Sequence, residues 1–286
     1  MHATYVGRQP IFDRALDVFG YELLFRSGLE NRASFADGDA ASSRVIVNTF
    51  TQRDLETILC GKLGFFNVTR GLLLDRIPLV LPPERAVIEV LEDVHVDDDL
   101  VDAVEELSAR GYQIALDDYS ANAAQSRLVD LADLVKLDIQ AVKPSDLAVL
   151  VESLQGQDVK LVAEKVETIE EVRLCHNLGF HFFQGYFLSR PEVVEGRVAN
   201  GGVSHTKRLV AYLRDRDISI EELAAVVGRS EGLSRALVQM AASTHVPVPR
   251  AVGSVLDAVL RLGTFRVSRV ANLLELAGLE PAPVQP

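Results

Sequence analysis

Short apolar runs alternate with amphipathic stretches over roughly the first 190 residues of the chain. The runs are rich in β-branched and aromatic residues and are bounded by glycine and polar residues, a pattern typical of buried strands. The predicted strands are Tyr5–Val6, Val18–Arg26, Gly64–Val68, Ala86–Val90, Gln113–Asp117, Leu134–Leu137, Lys160–Ala163 and His181–Gln184.

Helical periodicity fills most of the intervals between these strands. The predicted helices are Ala40–Leu59, Asp97–Arg110, Pro144–Leu154 and Ile169–Asn177. Repeated β–α alternation indicates a mostly parallel sheet of the α/β class, and about eight strands favour a (β/α)₈ TIM-type barrel. The first two strands are separated by too little chain for a crossover helix, so we expect the first strand to be antiparallel.

The pattern changes after residue 195. Residues 196–205 are rich in glycine and polar side chains and are interpreted as a linker. From residue 206 to about 280 only helices are expected, with a capping box at Ser219–Glu222 followed by Gly232–Ser243, Arg250–Leu262 and Arg266–Ala277. We therefore predict a barrel over 1–195 and a small all-α module over 206–280.

Composition limits the classes of partner. The chain has 286 residues and a net charge of −12, which argues against a nucleic-acid polymer or an anionic membrane as partner. The two cysteines, Cys60 and Cys175, lack metal-type spacing and suggest a reduced intracellular protein. No signal-peptide core opens the chain and no uncharged apolar run approaches about 18 residues, so we expect a cytoplasmic protein.

Polar residues stand at or beside the ends of the predicted strands. They are Glu22, Asn67, Glu89, Asp117, Asp118, Lys136, Glu164 and Gln184. In a barrel such ends meet at one rim, and oxygen ligands are those that hard divalent cations prefer. The series therefore predicts a site for divalent cations and a phosphate. Simpler readings remain open: Glu22 and Arg26 could form a surface ion pair, Asn67 could merely end a strand, and Asp138 is interpreted as ordinary barrel structure.

Eight segments in unbroken order carry a family resemblance. They are QPIF with Gln9, GYELLFR with Glu22 and Arg26, FNV, IEVLE, LDDY, VKLD, AEKVE and QGYFLSRP. Together they resemble EAL domains, which hydrolyse the bacterial second messenger cyclic di-GMP. The family usually has the triplet Glu-Ala-Leu, from which it takes its name, where this chain has Glu22-Leu23-Leu24. The segment GYELLFR is most similar to the subgroup that joins an EAL domain to a C-terminal HDOD domain.

The resemblance implies two divalent cations, Mg²⁺ or Mn²⁺. It implies that Glu22, Asn67, Glu89 and Asp117 hold the first ion. Asp117 would bridge to the second, which Asp118 would also bind.

The resemblance also implies roles beyond metal binding. Lys136 would position the attacking water, and Glu164 would act as general base, with Glu22 also counted as catalytic. Gln184 would fix the water network at the substrate, while Arg26 would bind a substrate phosphate and Gln9 the nucleotide.

The segment after Asp118 departs from the family pattern. Active members continue with a glycine-containing loop, whereas residues 120–123 contain no glycine. Serine and alanine adopt positive φ only at a cost, although an asparagine such as Asn122 could visit the left-handed region. The resemblance implies that Glu92 and Glu167 anchor this loop. The second metal and dimerisation through this rim therefore stay open.

The C-terminal helices resemble the first part of an HDOD domain. The segment RDISIEELAAVVGRSEGLSRALVQMAAS carries the resemblance, which implies a truncated HDOD-like module that contacts proteins. Three functions are thus left open: a phosphodiesterase that converts cyclic di-GMP to linear pGpG, a catalytically inactive cyclic di-GMP receptor that signals through this module, and a scaffold that neither binds nor cleaves the nucleotide. Homodimer formation and a protein partner for the helices are further open expectations.

Overall fold

The computed structural model describes residues 2–26, 38–51, 55–198, 219–229, 231–243 and 252–276. The strands are β1 (His2–Asp13), β2 (Val18–Arg26), β3 (Leu63–Val68), β4 (Ala86–Val90), β5 (Gln113–Leu116), β6 (Leu134–Asp138), β7 (Lys160–Glu164), β8 (Phe182–Phe183) and β9 (Glu192–Val198). The α-helices are α1 (Gly38–Thr51), α2 (Leu55–Leu59), α3 (Arg70–Leu74), α4 (Asp98–Ala109), α5 (Ala123–Ser126), α6 (Pro144–Leu154), α7 (Ile169–Leu178), α8 (Ile220–Gly228), α9 (Glu231–Ser243) and α10 (Val255–Leu276). Within the residues listed above, the 3₁₀ helices are η1 (Ile77–Val80), η2 (Pro83–Arg85) and η3 (Val129–Leu131).

Strands β1 to β8 close into a barrel. Strands β2 through β8 follow one another in chain order with parallel pairing, and β1 pairs antiparallel with both β2 and β8. The predicted (β/α)₈ class and the antiparallel first strand are both confirmed. The reason is the short Asp13–Val18 connection, which permits a hairpin but no crossover helix.

Strand β1 is longer than the barrel needs, and its first half pairs with β9. His2 to Arg8 pair antiparallel with Val198 to Glu192, and the Arg8 guanidinium contacts the Glu192 carboxylate at 3.0 Å. The interpretation of residues 196–205 as linker is therefore wrong for 196–198, which lie in a strand, and residues 199–205 lie outside the described part. Covering a free strand edge is the physical reason that this polar segment becomes extended.

An apolar layer fills the barrel interior beneath the predicted site. One side chain from each of seven strands forms it: Ile11, Phe65, Val87, Ala115, Leu134, Val162 and Phe182. Phe19 stacks on Phe182 with ring centroids 4.0 Å apart, and Gly20 leaves room for Phe65, whose ring would lie 2.7 Å from an added Cβ. This layer excludes water from the floor of the barrel.

The polar residues lie one layer above this floor. Side chains alternate along a strand, so the interior position that follows an apolar residue comes two residues later. Those positions are Asn67, Glu89, Asp117, Lys136, Glu164 and Gln184, with Gln9 from the antiparallel β1. Period-two alternation therefore aims these polar side chains at one rim.

Capping residues fix where the predicted helices begin and end. Asp97 caps α4, Thr168 opens α7 with a capping box, and Gly179 ends it at φ 98°. Helix was predicted over Ala40–Leu59, and the described residues of that range up to Leu59 lie in α1 and α2; residues 52–54 lie outside the described part.

The C-terminal helices pack on the barrel. Ser219 opens α8 with the predicted capping box, and Gly263, at φ 75°, interrupts α10 between the two helices expected there. Both α9 and α10 contact α1, and α10 also contacts η1. Buried residues of the helices and of the barrel form one apolar cluster. Within the described residues no helix combines the length and apolar character that a membrane crossing requires.

Candidate functional site

A cavity of about 470 Å³ opens at the barrel rim above the apolar layer. Its lining residues are Gln9, Glu22, Leu24, Asp117, Asp118, Lys136, Gln140, Glu164, Lys165, Glu167, Gln184, Gly185 and Tyr186. Most of the residues predicted from strand ends are thus brought to one place.

Lys136 lies at the centre of the carboxylates. Its Nζ is 2.7 Å from Glu89 Oε1, 2.8 Å from Asp117 Oδ1 and 2.9 Å from Glu164 Oε1. Glu22 Oε2 lies further away, at 3.8 Å. Lys136 and Glu89 are both 0% exposed, so water does not screen their contact.

Two amides orient the Glu22 carboxylate. Asn67 Nδ2 donates a hydrogen bond to Oε1 at 2.9 Å, and Gln184 Nε2 donates to Oε2 at 2.6 Å. Gln9 lies directly opposite Glu22 in the β1–β2 register. The carboxylate that begins the family motif is therefore held rigidly at the rim.

Burial and charge shift the protonation of this cluster. Burial alone would lower the pKa of Lys136, but the charges of Asp117, Glu164, Glu22 and Glu89 outweigh it and raise that pKa well above its usual range. Burial raises the pKa of Glu164 to about 8, against the attraction of Lys136. Burial likewise raises the pKa of Glu89 well above its usual range. One ammonium does not balance the buried carboxylates.

The donor set fits a divalent cation. Both carboxylate oxygens of Glu89 and the Oδ1 atom of Asp118 are buried and accept no hydrogen bond from the described residues, and Glu89 Oε1 has only its ionic contact with Lys136. These are hard oxygen ligands with unused capacity. Among the described residues no three His, Cys, Asp or Glu side chains form a preformed ligand set. Lys136 Nζ lies within 2.7–2.9 Å of Glu89, Asp117 and Glu164.

A second charged cluster adjoins the first. Lys165 Nζ contacts Asp138 Oδ2 and lies 3.6 Å from Asp118 Oδ2. The other Asp138 oxygen accepts hydrogen bonds from the Gln140 and Ala141 amides at 2.8 and 3.2 Å. The interpretation of Asp138 as ordinary barrel structure missed this pairing, although the lysine in AEKVE was a visible signal.

The glycine-free loop is closed by a buried glutamine. Gln125 Oε1 accepts hydrogen bonds from the Ser120 amide at 3.0 Å and from Asn122 Nδ2 at 2.9 Å. Ala121, rather than Asn122, takes the left-handed conformation at φ 55°. Asn122 instead caps α5, with φ −71° and its Oδ1 accepting from the Gln125 amide.

Three further predicted residues, Glu92, Glu167 and Arg26, are not among the carboxylates that surround Lys136. Glu92 is exposed and lines a neighbouring cavity of about 410 Å³, together with Asn67 and Leu24. Glu167 lines the first cavity. The side chain of Arg26 lies outside the described residues. The roles assigned to these residues stay predictions.

Comparison with known proteins identifies the family. The sequence profile of the EAL domain matches residues 69–191, and that of the HDOD domain matches residues 203–279. YuxH of Bacillus subtilis, an uncharacterized protein, is 30% identical over 281 residues, which cover 96% of this chain and 69% of YuxH. The chain belongs to the EAL–HDOD family.

Another relative of this EAL–HDOD chain has a named activity. CdgJ of Vibrio cholerae, a cyclic di-GMP phosphodiesterase, is 34% identical over 276 residues, which cover 96% of this chain and 64% of CdgJ. The chain thus spans about two thirds of the length of these relatives. A solved structure of BlrP1 from Klebsiella pneumoniae, in complex with manganese and cyclic di-GMP, shares the fold at 22% identity with a TM-score of 0.55, covering 68% of this chain and 57% of that one.

Proposed function

We propose that this EAL–HDOD protein hydrolyses cyclic di-GMP to linear pGpG with the help of divalent cations. The observation that carries the proposal is the convergence of Glu22, Glu89, Asp117 and Glu164 on Lys136 at one rim of the barrel. The named activity of CdgJ supports the choice of substrate.

The excess of buried carboxylate accounts for the need for cations. An anionic phosphodiester would be repelled by this rim unless positive charge were added. Glu22, Asn67, Glu89 and Asp117 would hold one Mg²⁺ or Mn²⁺, and Asp117 with Asp118 a second. Such ions supply Lewis acidity toward phosphoryl oxygens and lower the pKa of bound water.

Glu164 is suited to accept a proton from the attacking water. A general base works best when its pKa lies near the operating pH, and burial raises the pKa of Glu164 to about 8. Lys136 keeps Glu164 in place through the 2.9 Å contact. Gln184 and Asn67 hold Glu22, so the rim is organised before the substrate binds.

The remaining parts of the proposal concern binding. Gln9 would contact the nucleotide, since it lines the cavity opposite Glu22, and Arg26 would bind a substrate phosphate through its planar guanidinium. The HDOD helices would bind a protein partner. A cytoplasmic setting belongs to the same proposal, because the chain has only two cysteines, Cys60 and Cys175, a usage typical of reducing compartments.

A single incubation tests the activity. Purified protein is mixed with cyclic di-GMP and Mn²⁺, and the products are separated by chromatography, with Glu22→Ala and an EDTA-treated sample in parallel. We expect pGpG from the wild type and none from the other two. Nucleotide binding without pGpG, unchanged in Glu22→Ala, would reject hydrolysis and support the receptor function instead.

A further inference from the structure

The residue after Glu164 is a lysine whose backbone has a conformation that non-glycine residues rarely adopt. Lys165 has φ 56°, in the left-handed region that glycine adopts at least cost. The backbone around it is fixed: the Lys165 carbonyl accepts a hydrogen bond from Gln140 Nε2 at 3.2 Å, and the Val166 amide donates to the Gln184 carbonyl at 3.0 Å. A non-glycine residue held in such a strained position is a reason to look for a function.

The lysine side chain reaches back to the site. Its ammonium contacts Asp138 Oδ2 and lies 3.6 Å from Asp118 Oδ2, while Asp118 Oδ1 is buried without a hydrogen bond. Asp138 is itself oriented by the Gln140 amide, and the Lys165 side chain, although 54% exposed, keeps its ammonium beside both aspartates. Positive charge is therefore already present on the side of Asp118 that faces the cavity.

We propose that Lys165 is a positioning residue that acts as a resident counter-cation for Asp118 and Asp138 and competes with a second divalent cation at Asp118. This inference rests on the proposed function, which places a second ion on Asp117 and Asp118. Lys136 is less suited to the same role, because its contacts are with Glu89, Asp117 and Glu164, and among the described residues it forms no ion pair with Asp118. The consequence is an asymmetric site with one strong and one weak cation position.

The expected size of the effect follows from Coulomb repulsion. A unit charge a few ångströms from a divalent cation weakens its binding by about tenfold even in a strongly screening medium. Two Mn²⁺ ions should thus bind the wild type with dissociation constants that differ by about tenfold or more. Lys165→Met should tighten the weaker constant by about tenfold and leave the stronger one unchanged.

Mn²⁺ titration of the nucleotide-free full chain tests this inference without reference to turnover. Isothermal titration calorimetry, with electron paramagnetic resonance to count bound Mn²⁺, is applied to the wild type, Lys165→Met and Lys165→Arg. Lys165→Gly provides a variant without backbone strain, whose unfolding temperature should equal or exceed that of the wild type. Lys160→Met, at the opposite end of β7, is the matched control for loss of one positive charge.

Each outcome has a definite meaning. Tightening of the weak position in Lys165→Met and Lys165→Gly, but not in Lys165→Arg or Lys160→Met, supports the inference. An unchanged weak constant in both neutral variants overturns it while leaving the proposed function intact. Absence of any Mn²⁺ binding to the wild type overturns the proposed function as well. In an Asp118→Asn background, Lys165→Met should have no further effect, and an additive effect there would contradict direct competition.

Discussion

Lys136 is the residue whose removal tests the electrostatics of the site most severely. In the protein without cations, its ammonium is the group that contacts Glu89, Asp117 and Glu164 within 2.7–2.9 Å. Lys136→Met keeps much of the side-chain volume and removes the charge. The carboxylates then face one another inside the barrel above an apolar floor.

The magnitude follows from these contacts. At an effective dielectric constant of about 20, each contact is worth about 6 kcal/mol before desolvation is subtracted. Desolvation cancels most of that gain, and removing one partner of a buried ion pair costs about 3–5 kcal/mol in the free energy of unfolding. At about 2–4 °C per kcal/mol for domains of this size, the midpoint temperature should fall by roughly 6–20 °C.

The loss should depend on pH in a definite direction. Burial raises the pKa of Glu164 to about 8, above its ordinary value of 4.5, so the folded state binds more protons than the unfolded state between these values. This carboxyl therefore contributes stability that is present below about pH 4.5 and is lost as the pH rises toward 8. Removing Lys136 takes away the attraction that lowers this pKa, so the deficit should be larger at pH 8 than at pH 5.

Thermal unfolding followed by circular dichroism in EDTA, at pH 5 and at pH 8, measures both effects. Lys160→Met serves as the control for an exposed lysine and should melt with the wild type. A Lys136→Met midpoint within about 2 °C of the wild type at pH 8, which corresponds to less than about 1 kcal/mol, would refute the reasoning. If the midpoint temperature of Lys136→Met fell further below that of the wild type at pH 5 than at pH 8, the predicted direction of the pH dependence would be refuted.

Three further predictions follow from single positions. Glu164→Gln should abolish pGpG formation while nucleotide affinity measured by calorimetry stays within about threefold, and wild-type turnover would remove Glu164 from the mechanism. Gly185→Ala should lower the unfolding temperature markedly, because its Cβ would lie 2.1 Å from the Val166 carbonyl oxygen; an unchanged midpoint would show that this turn yields easily. Ala121→Gly should raise the free energy of unfolding by about 1 kcal/mol in urea titration, since φ is 55°, and a decrease would mean that this conformation is not strained.

Much of the barrel could be predicted because each strand carries its own signal. Period-two alternation placed Asn67, Glu89 and Glu164 two residues above Phe65, Val87 and Val162, so the apolar floor and the polar rim follow from the same pattern. The short connection after Asp13 likewise sufficed to predict the antiparallel first strand.

Two of the features that escaped prediction depend on partners distant in sequence. Strand β9 becomes extended only because β1 offers an edge some 190 residues away, and its glycine and polar residues conceal that pairing. The contact of Lys165 with Asp138 spans 27 residues, and it requires the left-handed turn at Lys165 that the residue type disfavours. The sequence pattern did not mark Gln125 as the buried residue that closes its loop. It does so through three hydrogen bonds that its Oε1 atom accepts from Ser120 and Asn122, and no periodicity predicts them.

The central claim is that the carboxylates around Lys136 form a cation site used to cleave a cyclic dinucleotide. The most direct test is the initial rate of pGpG formation at saturating cyclic di-GMP, measured against free Mn²⁺ for the wild type and Glu89→Gln. We predict no product in EDTA, a rate that saturates with Mn²⁺ in the wild type, and at least a hundredfold loss in the variant. Product formation that persists in EDTA, or nucleotide binding without product at every Mn²⁺ concentration, would contradict the account.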